Sequence, residues 1–212
     1  MKHPADSPPQ PLPAPTPLDD SIRARLDAYV ELLLRWNARI NLVGRTTTDQ
    51  VWQRHVEDSL QLVPLLPPGK DAICDLGSGA GLPGLVLAIA TGRPAHLVES
   101  DRRKAAFLTE AAARLDLPQI QIHVTRIEDA RLPPIAILTA RALAPLGTLT
   151  AHAERLLAPG GVALFPKGRM AEAELAEART AWSFTLDRFA SRTDPEATIL
   201  RLSDIRHVQP QA

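Results

Sequence analysis

The chain is poor in several residue classes that usually announce a function. Cys74 is the lone cysteine in 212 residues. That excludes an intramolecular disulfide and any cysteine-rich metal centre. Aromatic side chains make up 4% of the chain, so a base-stacking platform of the single-strand-binding kind is not written into the composition. Charge of one sign is not in excess: 24 basic residues stand against 24 acidic ones. No third of the chain is strongly basic, whereas a general nucleic-acid binder carries a basic surplus. No apolar run approaches bilayer-spanning length, and no signal-peptide core stands near Met1. These absences predict a cytoplasmic protein without a membrane partner. The lack of a large apolar surface signal further predicts a monomer.

What is present fits an ordinary soluble α/β protein. The apolar share of 45% and charged share of 23% suffice for one buried core. The length allows a single domain plus a modest extra element. Seven prolines fall within residues 4–17, which predicts a disordered, polyproline-like tail over residues 1–18. From Ile22, apolar residues recur at Leu26, Val30, Leu33, Leu34 and Ile40 with helical spacing. Asp19 or Ser21 would cap that helix. A second helix is predicted from about Asp49 to Leu65, stopped by Pro67-Pro68-Gly69. Residues 19–68 therefore read as an N-terminal helical cap, and 209–212 as a short tail.

Residues 69–208 change pattern. Strand-like runs at Ala72–Leu76, Ala95–Val98, Ile120–Val124, Ile135–Thr139 and Gly161–Phe165 alternate with helical stretches. Those stretches are Leu82–Ala90, Arg102–Leu115, Leu146–Leu157 and Ala171–Ala181. Such repetition implies a parallel sheet covered on both faces. Two final runs, Phe184–Phe189 and Thr198–Leu202, have no helix between them and should pair as a hairpin.

The stretch Ile73-Cys74-Asp75-Leu76-Gly77-Ser78-Gly79-Ala80-Gly81-Leu82-Pro83-Gly84 carries the most information. A strand enters a glycine-rich turn and a helix opens after it, offering free N–H groups and a positive dipole end. Two templates fit. Gly79-x-Gly81-x-x-Gly84 matches the dinucleotide fingerprint, while Asp75-x-Gly77-x-Gly79-x-Gly81 matches the first motif of class I methyltransferases. Asp75 separates them, because a carboxylate repels a pyrophosphate but tolerates the cationic sulfonium and amino group of S-adenosylmethionine. A turn of this kind can also bind nothing. Glu99 ends the second strand where an acid can accept both ribose hydroxyl protons, a feature of methyltransferases and NAD enzymes alike. Past the third strand, Ile127 could pack on an adenine while Glu128 accepts from its amine. Cys74, inside a strand, should be buried and inert.

Further segments join these in a fixed order. They are Trp36-Asn37, Ile40-Asn41-Leu42, Arg54-His55-x-x-Asp58-Ser59-Leu60, Glu99-Ser100-x-x-Arg103-Lys104-x-x-Phe107-Leu108, Arg126-x-Glu128, Ala140-Arg141-Ala142 and Lys167-Gly168. With Asp75–Gly84 they make the chain closely resemble the RsmG family (also called GidB), the 16S ribosomal RNA guanine-N7 methyltransferases. The resemblance runs from about Ile22 to Val208. It implies a class I S-adenosylmethionine-dependent methyltransferase fold: a Rossmann-like, mostly parallel seven-stranded sheet with a terminal antiparallel hairpin, plus the helical cap. It implies S-adenosyl-L-methionine as cofactor and 16S rRNA, within the 30S subunit or its precursor, as partner. The modified base would be guanine 527 of that RNA. Carried over residue by residue, the cofactor contacts fall on Gly77, Leu82, Ile127, Glu128 and Arg141. Glu99, Asp75 and Gly79 join them from the reading of the loop. The chain departs from the family at Val43-Gly44, at the proline-rich tail and around Arg141 within Thr139–Pro145.

The chemistry asks little of side chains. Guanine N7 offers an in-plane lone pair and carries no proton, so methylation needs positioning, not a base or a metal. No metal site is expected, and no catalytic residue beyond Arg141 as a positioning candidate. Arg54, Arg103, Lys104 and Lys167 are candidate RNA contacts. With Arg35, Arg39, Arg45 and Arg169 they would form one positive surface at the sheet's ligand edge. His55 and Asp58, three residues apart on a helix, read best as a packing pair between cap and sheet. Rival readings are a methyltransferase of another substrate, an NAD-dependent oxidoreductase and a non-catalytic ribosome-assembly factor.

Overall fold

The computed structural model describes residues 8–44 and 48–208; Arg45, residues 1–7 and the tail 209–212 lie outside the described residues. Asp19 caps the first helix, its carboxylate accepting the Ile22 N–H at 2.8 Å. Helix α1 is Asp20–Asn37 and the short α2 is Thr48–Val51. A π-helical turn, Trp52–Glu57, leads into α3 (Asp58–Leu60) and a 3₁₀ turn at Val63–Leu65. The single helix expected from Asp49 to Leu65 is thus one helical path with a widened turn in the middle. Turns of this kind are uncommon and often mark functional positions.

Strand β1 (Ile73–Leu76), helix α4 (Gly84–Thr91), β2 (Ala95–Val98) and α5 (Arg102–Arg114) follow. Then come β3 (Ile120–His123), a 3₁₀ turn at Ile127–Asp129, β4 (Ile135–Ala140) and α6 (Leu146–Leu156). Strand β5 (Leu157–Lys167), α7 (Ala171–Ala178), β6 (Trp182–Ala190) and β7 (Thr198–His207) complete the order. The seven strands lie in the order β3-β2-β1-β4-β5-β7-β6. The first five are parallel, and β7 runs antiparallel to both β5 and β6. The order reverses between β1 and β4, and the crevice beyond the carboxyl ends at such a point is where open α/β sheets bind ligands.

Both faces of the sheet are buried, and neighbouring residues divide between them. Ile73, Ile137, Leu164 and Ile199 belong to the core shared with α1, α4 and α5. Cys74, Leu138, Phe165 and Leu200 belong to the core shared with α6 and α7. That period-2 division of largely apolar strands is what a doubly covered sheet requires. Cys74 is buried, and burial raises its thiol above the ordinary range. Leu26, Tyr29 and Leu33 of α1 sit in the same core as Leu85 and Phe107, so the helical cap and the sheet are packed as one body. No described helix is long and apolar enough to cross a membrane.

Residues 8–18 correct the picture of a free tail. Gln10 pairs in parallel with Phe189 of the edge strand β6. Its N–H donates to the Arg188 carbonyl at 2.8 Å, and its carbonyl accepts from Ala190 N–H at 2.9 Å. Leu12 and Leu18 pack on the main core, and the Arg192 guanidinium donates to the Pro13 carbonyl. The reason lies in the residues between the prolines. Gln10 keeps the N–H that its neighbours lack, two leucines supply apolar anchors, and a proline-rich segment suits an outermost position where a ladder need not continue.

Candidate functional site

The carboxyl edge of the sheet carries two cavities. The smaller, about 360 Å³, lies beyond β1, β2 and β3 and is lined by Gly77, Glu99, Lys104, Arg126, Ile127 and Glu128, among others. The larger, about 740 Å³, lies beyond β4 and β5. Arg54, His55, Asp58, Arg141, Lys167 and Thr193 are among the residues around it. Ala142 and Leu143 line both, so the cavities meet at the loop that follows β4.

Glu99 anchors the smaller cavity. Its side chain is held from two sides by backbone donors, Gly79 N–H on Oε2 and Asp101 N–H on Oε1, each at 2.8 Å. Both carboxylate oxygens keep lone pairs for further donors. The helix that follows is capped by Asp101, whose carboxylate takes the N–H groups of Arg103 and Lys104. The φ of Gly77, +63°, favours glycine, and a β-carbon there would stand 2.5 Å from Leu143 Cδ1 and displace the end of that side chain. Leu143 thus lies directly over the loop, partly exposed at the junction of the cavities. Beneath, the buried Tyr29 hydroxyl donates to the Ala80 carbonyl at 2.6 Å and ties α1 to the same loop.

Asp75 does not do what its position suggested. It is fully buried and does not line the smaller cavity. Its Oδ1 accepts from Thr139 Oγ1 at 2.7 Å, while Oδ2 has no partner. Burial pushes its pKa up to about 6, against the lowering influence of the Thr139 and Ser78 hydroxyls and the Gly84 N–H. Gly84 is required for its seat, since a β-carbon there would lie 2.4 Å from Asp75 Cβ. Asp75 therefore supports the loop from below. Leu82 is likewise a core residue, 6% exposed, and Gly79 meets the cavity through its hydrogen bond to Glu99.

Arg141 stands apart from Glu99, on the larger cavity. Its Nη1 donates to Asp58 Oδ2 at 2.7 Å and its Nη2 lies 2.8 Å from His55 Nδ1. Facing a guanidinium, that ring nitrogen is an acceptor. Burial, then the neighbouring Arg141 cation, holds His55 below its ordinary pKa, with Asp58 opposing them. The pair read as packing between cap and sheet is therefore the clamp that holds Arg141. Asp58 also accepts from Thr193 Oγ1 and Gln61 Nε2 through Oδ1, contacts that no spacing or motif in the chain signals.

Of the other RNA-contact candidates, Arg54 is exposed on the rim of the larger cavity and makes no ion pair among the described residues. Lys167 turns inward, 10% exposed, with its ammonium on Glu174 Oε2 at 2.8 Å and the Ala144 carbonyl at 2.7 Å. Glu174 in turn accepts the Leu146 N–H at the start of α6. Lys104 lines the smaller cavity, and Arg103 is exposed beside Asp101. At the larger cavity the charge is mixed, and Arg45, one of the residues expected in a single positive surface, lies outside the described residues. Around the larger cavity Arg54, Arg141 and Lys167 are matched by Asp58, Glu174 and Asp194. Among the described residues no group of three or more histidine, cysteine or acidic side chains converges on a point that could hold a metal ion.

Comparison with known proteins fits this arrangement. Residues 22–194 match the sequence profile of GidB, the rRNA small subunit methyltransferase G family. The chain is 51% identical over 197 residues to the ribosomal RNA small subunit methyltransferase G of Granulibacter bethesdensis, covering 93% of this chain and 92% of that one. It is 55% identical over 186 residues to the protein of the same name from Acidiphilium cryptum, covering 85% and 84%. Among solved structures, the ribosomal protein L11 methylase of Lactobacillus delbrueckii subsp. bulgaricus superposes with a TM-score of 0.58 at 13% identity, over 75% of this chain and 80% of that one. The glycopeptide N-methyltransferase MtfA, solved with S-adenosyl-L-methionine, gives 0.58 at 10% identity, over 70% and 93%.

Proposed function

The chain belongs to the rRNA small subunit methyltransferase G family, and from that premise we propose that it methylates N7 of a guanine in 16S rRNA, guanine 527 by resemblance. The methyl donor is S-adenosyl-L-methionine. The observation that carries the reading is the meeting of two cavities at Ala142 and Leu143. One has the size and polarity for a nucleoside, and the other is wide enough for a base with its sugar.

The residues of the smaller cavity fit the cofactor. Glu99, already oriented by two backbone amides, accepts from the ribose hydroxyls. Ile127 offers an apolar face to the adenine, and Glu128 an acceptor for its amine. Gly77 lets the backbone come close where a side chain would obstruct. When bound, the cofactor supplies an electrophilic methyl group on a sulfonium.

With the cofactor bound, the N7 lone pair would form the N–C bond as the C–S bond broke, its electron pair remaining on sulfur. Positive charge passes to the purine, and no proton moves in this step. The protein's task is to hold N7 in line with the methyl, which suits a site built from loops on a rigid sheet edge. Arg141, with two N–H groups committed to Asp58 and His55, keeps others for the base or a phosphate. Among the described residues no Phe, Tyr or Trp side chain lines the larger cavity. Leu143, Pro145, the His55 ring and the guanidinium planes are what a base can pack against. The balanced charge there favours recognition of a base over broad attraction to phosphates.

The test is methyl transfer from labelled cofactor to 30S subunits and to their assembly precursors, both from a strain lacking this modification, followed by mapping of the labelled base. Label on a guanine other than 527, or on another ring atom, overturns the finer assignment. Absence of any transfer alongside measurable cofactor binding would point to a non-catalytic assembly role.

A further inference from the structure

We propose that Thr193, in the turn between β6 and β7, is a positioning residue for the RNA substrate, acting through Asp58 on Arg141. The proposal rests on the reading of Arg141 as a substrate contact. Thr193 lies 135 residues from Asp58 in sequence, yet its Oγ1 donates to Asp58 Oδ1 at 2.7 Å. Gln61 Nε2 donates to the same oxygen at 2.8 Å. The opposite oxygen, Oδ2, faces Arg141 Nη1 at 2.7 Å. One carboxylate thus has one edge fixed by two neutral donors and the other committed to the guanidinium.

That division of labour matters because the terminal torsion of an aspartate is soft and roughly two-fold. Without the Thr193 donor, Gln61 alone holds Oδ1, the carboxylate rotates more freely, and the restraint on the plane of the Arg141 fork loosens. A displacement of about 1 Å at a contact that aligns the substrate costs rate out of proportion to its size. The His55 contact alone does not set the plane, since it engages only Nη2.

The turn that brings Thr193 is itself docked, not loosely draped. Gln61 is almost fully buried, and its Oε1 accepts the Arg192 N–H at 2.9 Å. The Ser191 hydroxyl lies 3.0 Å from Thr193 Oγ1, and the Arg192 guanidinium reaches back to the Pro13 carbonyl. Thr193, Asp194, Pro195 and Ala197 line the larger cavity together with Arg54, His55 and Asp58 of the helical turn. The hairpin is therefore part of the substrate site as well as the end of the sheet.

Thr193→Val keeps the shape and removes the donor, and Thr193→Ser restores it. The expected result with undermethylated 30S subunits is a KM raised about 5- to 10-fold by Thr193→Val. Cofactor Kd should be unchanged, with near-normal KM for Thr193→Ser. In an Arg141→Ala background the Val substitution should add little, because the two act in series. Equal KM for wild type and Thr193→Val overturns the inference, as does an equal rise for Val and Ser variants accompanied by equal loss of melting temperature. If Arg141→Ala alone leaves KM unchanged, the substrate role of Arg141 fails and this inference falls with it. If Arg141→Ala raises KM while Thr193→Val does not, only the inference falls.

Discussion

The Gly79 N–H and the Glu99 carboxylate are joined at 2.8 Å, linking the loop after β1 to the end of β2. The bond fixes the loop and aims the carboxylate in one stroke, since the other oxygen is held by Asp101 N–H. Glu99→Gln is nearly isosteric but puts an NH₂ where one of those two N–H donors now points. We expect cofactor Kd to weaken roughly 10- to 100-fold, as for the loss of a charge-assisted contact with its partner left unpaired. Isothermal titration of wild type and variant checks this. Equal affinities would remove Glu99 from the cofactor site.

Most of the parallel sheet was legible because each strand carries an apolar run set between helical stretches or turn residues. The period-2 sorting of Ile137 from Leu138 and of Leu164 from Phe165 into opposite cores follows directly. The hairpin strands run farther than their apolar runs implied, to Trp182–Ala190 and Thr198–His207. Ser203 and Arg206 carry no apolar signal, yet both pair with β6, on either side of a register shift at Asp204, whose φ is +53°. At the site, Glu99, Gly77, Ile127 and Glu128 stand together where the motif order put them. Asp75 was misplaced because a strand residue's neighbour, not its chemistry, decides which way it points: Thr139 on β4 holds it inside. The clamp on Arg141 was invisible in Thr193 and Gln61, whose partners are fixed by tertiary structure alone.

Asp75 makes a pH prediction with a definite sign. Its pKa is about 6 in the folded protein, against roughly 3.9 in an unfolded chain. Between those values the native state binds more protons than the unfolded one, so stability falls as pH rises from about 4 to 6. Above that window the buried carboxylate is charged and carries its full penalty. Asp75→Asn keeps an oxygen for Thr139 and removes the charge. Without cofactor, the variant should be more stable than wild type at pH 8, by about 1–3 kcal/mol. The two should converge as pH falls towards 4. Urea midpoints measured across this range check it, and a pH-independent difference would refute the assignment.

Arg54 and Lys167 should respond in opposite ways. Arg54 is exposed on the cavity rim, whereas Lys167 is buried against Glu174 and the Ala144 carbonyl. Arg54→Ala should weaken substrate binding and reduce the slope of log K against log salt by about one. Its melting temperature should hardly change. Lys167→Met leaves Glu174 without its cation in a partly buried setting, and about 3 kcal/mol of stability should be lost. Its salt slope should stay as in wild type. Binding isotherms at several salt concentrations, with melting curves alongside, separate the two. A reduced slope for Lys167→Met would place that ammonium on the RNA after all.

The proline-rich segment is predicted to protect an edge. Strand β6 ends the sheet, and an uncovered edge is a template for pairing with another chain. Gln10 occupies its hydrogen-bonding groups at Arg188 and Ala190, and Leu12 and Leu18 anchor the segment on the core. A chain beginning at residue 19 loses both, so its melting temperature should drop by several degrees, equivalent to about 2 kcal/mol of apolar burial and backbone pairing. It should also self-associate as concentration rises. Gln10→Pro in the full-length chain removes one N–H without removing the leucines, and should show a smaller form of the same change. Sedimentation velocity over a tenfold concentration range checks the association. If the shortened chain neither melts earlier nor associates more, the segment lies on β6 without holding it, and the edge needs no such cover.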